Sequence, residues 1–167
     1  MNFLINLKDK KKNFFKKENI IYLTLIFIIF FVDRYSKLIV IDNFNNSTYY
    51  INDFINVDLT WNIGIGFGLL STTSMLSYNL ITTLIGLIIL ILIFFLIKSE
   101  KLEKFSYSVI IGGAVGNFYD RTVYKAVPDF IDIHYNNFHW FIFNAADIFI
   151  TLGILLLLFN NKNFVKN

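Results

Sequence analysis

The sequence predicts an integral membrane protein in which four spanning helices carry a small β-like element on one face. Three observations lead there. The 167-residue chain is 56% hydrophobic and only 16% charged, with mean hydropathy +0.58, whereas a soluble domain is about 45–50% apolar and about 25% charged. The apolar residues are gathered into long runs rather than spread along the chain. The lysines cluster beside those runs, so the net charge of +3 reads as a membrane-topology signal and not as a nucleic-acid footprint.

Residues 1–19 form a basic head, with "KDKKKNFFKK" at positions 8–17. The apolar run Ile20–Val32 follows, and the span continues to about residue 41. It resembles a signal peptide in outline, but it has no small-residue cleavage site, and Asp33, Arg34 and Lys37 follow directly, so an uncleaved first span fits better. Residues 42–72 are the longest polar segment. Alternation at Ile55, Val57, Leu59 and Trp61 indicates short strands, and glycines at 64, 66 and 68 indicate a turn or close backbone approach. A second span covers about 74–97, including eighteen uncharged residues from Leu80 to Ile97. The charged connector "KSEKLEK" leads to a third span at about 105–124, where Gly112, Gly113 and Gly116 would admit a close helix. Residues 125–140 make a polar crossing, 141–160 a fourth span, and 161–167 a polar tail. The whole is expected to be one domain.

Four spans put both termini on one side. The head, the 98–104 connector and the tail hold 11 lysines, against Arg34, Lys37, Arg121 and Lys125 opposite, so the positive-inside rule places both termini in the cytoplasm. The polar residues that interrupt the spans then fall at one level, the outer one. Asp33 and Lys37, four apart, share a helical face, as do Asn117, Asp120 and Arg121, while Asn144 and Asp147 head the fourth span. Asn62 and Gly64 precede the second span, and Asp129 lies in the crossing.

Taken singly, most of these residues have an ordinary reading. Asp33 with Lys37 reads as an ion pair near the interface, and Asp120 with Arg121 reads equally as a structural charge cluster or as chemistry. Asn62 reads as a turn residue or a site residue, and Asn117 and Asn144 as interhelical hydrogen-bond groups. Asp53, Asp58 and Asp132 read as solvated charges, and His134 and His139 as part of an aromatic belt with Tyr135 and Trp140. Two histidines without carboxylate help are too few for a zinc site, and the absence of cysteine removes thiolate chemistry, so no metal or cofactor is expected. Asp147 is different, because an ionisable group at the head of a lipid-suited helix is by default functional. If Asp129 folds back over the fourth span, the two carboxylates can share one proton and activate water. The chain offers no serine or H-E-x-x-H hydrolase motif.

The blocks "DRYSK" (33–37), "WNIGIGFG" (61–68), "GGAVGNFYDR" (112–121), "VPDF" (127–130) and "FNAAD" (143–147) occur in this order. Together they resemble the bacterial lipoprotein signal peptidases, or signal peptidase II, over roughly residues 20–155. The resemblance implies an intramembrane aspartyl endopeptidase in the bacterial cytoplasmic membrane. Its expected architecture is all-α, with a β-cradle between helices 1 and 2 and a short extracytoplasmic helix or loop between helices 3 and 4. It implies cleavage of diacylglyceryl-modified prolipoproteins just before the lipidated cysteine, with Asp129 and Asp147 as the catalytic pair. Asp33, Lys37, Asn62, Gly64, Asn117, Arg121 and Asn144 would support the pair or line the substrate pocket, with Asp120 structural. Expected partners are the prolipoprotein and membrane lipids, and the expected state is a monomer that binds no nucleic acid.

The blocks depart from the family in three places: Ser36 where Thr is usual, Gly66 where Ala is common, and Pro128 before Asp129. None removes a reactive group. The rival readings are a small transporter or ion-conducting protein, and an assembly factor whose polar residues only join helices. A conduction path requires polar groups through the full membrane depth, and the inner halves of spans 2 and 4 are nearly unbroken Ile, Leu and Phe.

Overall fold

The computed structural model describes residues 17–44, 48–64, 74–136 and 138–164. Among the described residues there are four helices: α1 (Lys17–Asn43), α2 (Met75–Lys98), α3 (Lys101–Val123) and α4 (Ala145–Phe164). At 1.5 Å per residue, each is about 30–40 Å long, enough for a bilayer core of about 30 Å. Among the described residues, α2 is long and apolar enough to cross a membrane by length and composition alone, while the apolar stretch of α4 is shorter, at Ala145–Asn160. Charged residues occur within α1 and α3.

Helix α3 is the hub and packs on each of the other three, while α2 leans on α3 and hardly touches α4. Close packing on α3 depends on its small residues. A Cβ on Gly113 would meet the Ala146 carbonyl oxygen of α4 at 2.6 Å, and one on Gly112 would meet Ile29 of α1 at 2.8 Å. The glycine cluster of the third span therefore does what its composition suggested. The outer faces stay apolar and uncovered, as at Leu80, Leu84, Leu87 and Leu90 on α2 and Leu155 and Phe159 on α4.

The all-α expectation needs correction. The polar crossing at 125–140 is not a short helix or loop but a β-hairpin, formed by β3 (Val127–Tyr135) and β4 (Phe138–Phe143). It joins β1 (Tyr49–Asn52) and β2 (Ile55–Asn62) in one antiparallel sheet of order β1-β2-β3-β4. The composition explains this: "VPDFIDIHY" and "FHWFIF" are rich in β-branched and aromatic residues. Asn52 makes the first turn, its side-chain oxygen accepting from the Phe54 and Ile55 amides at 2.9 and 3.0 Å. Asn136, at φ 52°, serves the second turn. Pro128 is tolerated because β3 pairs there only with β2, at Trp61, and meets β4 only from Ile131 onward. The sheet packs on α1 and α3 at the ends that carry the polar residues, and β4 runs on toward α4.

Candidate active site

"FNAAD" begins α4 with a reciprocal cap. The Asp147 amide donates to Asn144 Oδ1 and the Asn144 amide donates to Asp147 Oδ2, both at 3.2 Å. Asp147 is therefore the third residue of a capping box, at a helix N-terminus where negative charge is favoured. The Asn144 side chain has a second task, with its Nδ2 donating to Asp129 Oδ1 at 2.5 Å. One asparagine thus bridges both carboxylates. Asn62, at the end of β2, donates through Nδ2 to Asp129 Oδ2 at 2.8 Å, and its Oδ1 accepts from the Gly64 amide at 2.8 Å.

Asp147 Oδ1 accepts from Asn117 Nδ2 at 2.9 Å, and Asn117 Oδ1 accepts from Lys37 Nζ at 2.8 Å. An ammonium can only donate, so Lys37 fixes the orientation of the Asn117 amide and aims an N–H at Asp147. Lys37 uses its other two protons on Asp33 Oδ2 at 2.8 Å and Asp120 Oδ2 at 2.7 Å. Asp120 also takes a hydrogen bond from Arg34, and Asp33 Oδ1 accepts from the Ala146 amide of α4 at 2.9 Å.

Asp33 and Lys37 are fully buried, so the expected interfacial pair is instead the centre of a dry network. The sequence shows the four-residue spacing but not that α3 closes over it. Arg34 was missed as a network member. Its guanidinium is 4.9 Å from the Tyr119 ring centroid and 5.5 Å from that of Tyr124, and its place directly after Asp33 was the available signal. Asp120 stands between Arg34 and Lys37 and does not line the cavity described next.

Asp129 and Asp147 face a common cavity of about 330 Å³, with Asn62, Asn117, Arg121 and Asn144 on its polar side. Its remaining wall is apolar, with Ile85 of α2, Ala114 of α3, and Ile150 and Ile154 of α4. Arg121 spans the cavity edge, donating from one Nη to the Gly64 carbonyl at 2.6 Å and from the other to the Asn117 carbonyl at 3.3 Å. Its Nε is buried with no hydrogen-bond partner among the described residues. Tyr78 of α2 holds this corner through its hydroxyl, which donates to the Arg121 carbonyl at 3.1 Å. Gly66 and Gly68 lie outside the described residues.

Burial, and after it the negative charge of Asp147, pushes the Asp129 carboxyl up to about 6. The charge balance points the same way. Around the network and cavity stand Arg34, Lys37 and Arg121 against Asp33, Asp120, Asp129 and Asp147. Three cations face four carboxylates, so one proton on the Asp129–Asp147 pair makes the cluster neutral.

Two expectations for the sheet also change. Asp132 is buried, not solvated, and His134 is not a belt residue, since only 10% of its side chain is exposed. Both residues project from β3 toward His139 of β4. The backbone alternation of the strand, disguised in the sequence by aromatic neighbours, puts them together.

A family model described as signal peptidase (SPase) II matches residues 25–161. The lipoprotein signal peptidase of Pelagibacter ubique (strain HTCC1062) is 47% identical over 163 residues, covering 93% of this chain and 95% of that one. That of Rickettsia akari (strain Hartford) is 37% identical, covering 86% and 75%. A solved structure described as a bacterial membrane enzyme, determined by the in meso method at 2.3 Å resolution, matches with TM-score 0.72 at 27% identity, covering 85% of this chain and 87% of that chain.

Proposed function

This chain belongs to the signal peptidase II family, and on that premise we propose that it is the membrane endopeptidase that removes the signal peptide of lipid-modified prolipoproteins, with Asp129 and Asp147 as its catalytic dyad. The observation that carries the dyad is the Asn144 bridge, with both carboxylates on one half-polar cavity and one more negative charge than the cations balance. One carboxyl holds the shared proton and the other is ionised. The ionised carboxylate takes a proton from water as the oxygen bonds to the scissile carbonyl carbon. The protonated carboxyl gives its proton to the carbonyl oxygen, forming a neutral tetrahedral diol. Collapse of the diol breaks the C–N bond, with the proton taken from water passing to the departing amine and one diol hydroxyl proton returning to the other carboxylate, which leaves a carboxylic acid and restores the single proton of the dyad. The pair titrates as a unit, so the two roles belong to the dyad rather than to either residue.

The other polar residues have positioning roles. Asn62, Asn117 and Asn144 hold the carboxylates by N–H donation, and Asn117 is itself aimed by Lys37. Asp33 and Asp120 fix Lys37, and Gly64 supplies the carbonyl that anchors Arg121. The unpartnered Nε of Arg121 suits a substrate backbone carbonyl. The apolar wall from Ile85 to Ile154 suits the signal helix and the acyl chains, which would enter laterally between α2 and α4.

In this reading all four helices span the membrane, within one protease domain over about residues 20–160. The basic head and the tail at 161–167 lie in the cytoplasm, and the sheet and dyad on the extracytoplasmic face. Apolar outer faces on every helix and the collection of polar residues at one end of the bundle support this arrangement. In this reading the working state is a monomer. A transporter is not favoured, because the polar network stops at one membrane level. The test is cleavage by the purified chain of a diacylglyceryl-modified prolipoprotein beside its unmodified form. Cutting before the cysteine of the modified form alone is expected, and a folded protein that cuts neither would overturn the reading.

A further inference from the structure

The sheet carries a second cluster of chemically capable side chains, on a different part of β3 from the dyad. Asp132 and His134 are two apart on β3 and so point to the same side. His139 on β4 stands directly opposite His134 in the register. One ligand atom from each of the three lies within 4.8 Å of the others. Asp132 Oδ2 is 2.8 Å from His139 Nδ1 and 3.8 Å from His134 Nδ1. The two imidazole rings face each other, with centroids 5.3 Å apart at 21°.

The cluster is incomplete as a hydrogen-bonded unit. His134 has only 10% of its side chain exposed, and its Nδ1 is buried without a hydrogen-bond partner among the described residues. Such an atom carries its full desolvation cost if nothing answers it. It points at a carboxylate that is itself buried, with 3% of its side chain exposed. His139 Nδ1 and Asp132 already partner each other at 2.8 Å, and a cation between the three donor atoms would replace that contact and answer His134 Nδ1 as well. Tetrahedral zinc with bonds of about 2.0–2.2 Å places its ligand atoms roughly 3.4 Å apart, and the two observed separations, 2.8 and 3.8 Å, bracket that value. His139 has 55% of its side chain exposed, so it can adjust to close the set. Two imidazole nitrogens and one carboxylate oxygen suit zinc and its neighbours, not magnesium or calcium. The sequence argument against a metal was that two histidines lacked carboxylate help, and Asp132 supplies it.

We infer that Asp132, His134 and His139 form a binding site for a divalent transition-metal ion, zinc foremost. The ion would join β3 to β4. Asp129 lies three residues before the first ligand, and Asn144 directly follows β4, so the site braces the hairpin that presents both to the cavity.

The test is calorimetric titration of zinc into the untagged full-length protein in detergent, beside His134→Gln, His139→Gln and the double variant, with thermal unfolding followed in parallel. Wild type is expected to bind one zinc per chain and to gain melting temperature. Loss of either imidazole should weaken binding by at least about tenfold, since even the loss of an outer partner of a ligand costs about 10–100-fold. Magnesium should produce neither effect. His139 is half-exposed, so its variant keeps the fold and reports on binding alone. No zinc binding by wild type, or equal binding by the double variant, would overturn the site.

Discussion

Asn144 shows how much a single side chain can hold together. Its carbonyl oxygen caps α4, its amide nitrogen holds Asp129, and its backbone amide holds Asp147. The motif "FNAAD" could be read as a helix start from sequence alone, and the offset of three between Asn and Asp is the capping-box spacing. The bridge to Asp129 could not be read, because it depends on a strand pairing that places residue 129 over the helix end. Asp129 gives a pH prediction. Its carboxyl moves from 3.8 in the unfolded chain to about 6 in the fold. Between those values the folded state holds more protons than the unfolded state, so its contribution to stability falls as pH rises. The stability of wild type relative to Asp129→Asn should therefore be greatest below about pH 4, fall up to about pH 6 and stay level above, by about 3 kcal/mol at most. Parallel denaturation of the two proteins across that range checks this, and a constant difference would refute it.

At the scale of elements, the sequence conveyed the helices better than the sheet. Hydrophobic runs and their flanking charges placed all four helices, with boundaries shifted by a few residues. The second hairpin was missed because "VPDFIDIHYNNFHWFIF" mixes polar and aromatic residues without clean alternation, and an irregularity between His139 and Ile142 of β4 breaks the period further. The glycines of α3 were legible as approach points, and Gly116 makes the most specific contact. A Cβ there would lie 2.3 Å from Asp33 Oδ2, a carboxylate already fixed by Lys37 and the Ala146 amide. Gly116→Ala should destabilise the protein by about 1–3 kcal/mol through overpacking and lower activity by shifting Lys37 away from Asn117. A melting temperature unchanged from wild type would contradict the packing account. Lys125 is a smaller case. It turns the chain out of α3 at φ 58°, a conformation that glycine adopts without cost, so Lys125→Gly should leave stability equal or slightly raised.

At the scale of the molecule, one ion network joins α1 and α3, reaches α4 through Asp33 and the dyad through Asn117. Sequence reasoning expected its members at one level, and helix periodicity alone brings them to one end of the bundle. It could not separate interfacial ion pairs from a buried lattice, since burial depends on how closely α3 approaches α1. Lys37 is the test of the lattice. Lys37→Met keeps the length of the side chain but leaves Asp33 and Asp120 in the interior with an ammonium missing, a loss of about 3–5 kcal/mol for a broken buried pair. Its melting temperature should fall further than that of Asp129→Asn, and equal melting temperatures would mean that the network is not what secures the helix ends. The central claim is that Asp129 and Asp147 work as one proton-sharing unit. It is tested most directly by the cleavage rate of lipidated prolipoprotein for Asp129→Asn, Asp147→Asn and the double variant, each shown to be folded. Each single change should lower kcat by about 10³-fold or more, and the double variant should be no slower than the slower single, because groups acting as a unit fail together. Wild-type rates in either single variant, or losses that multiply in the double, would contradict the claim.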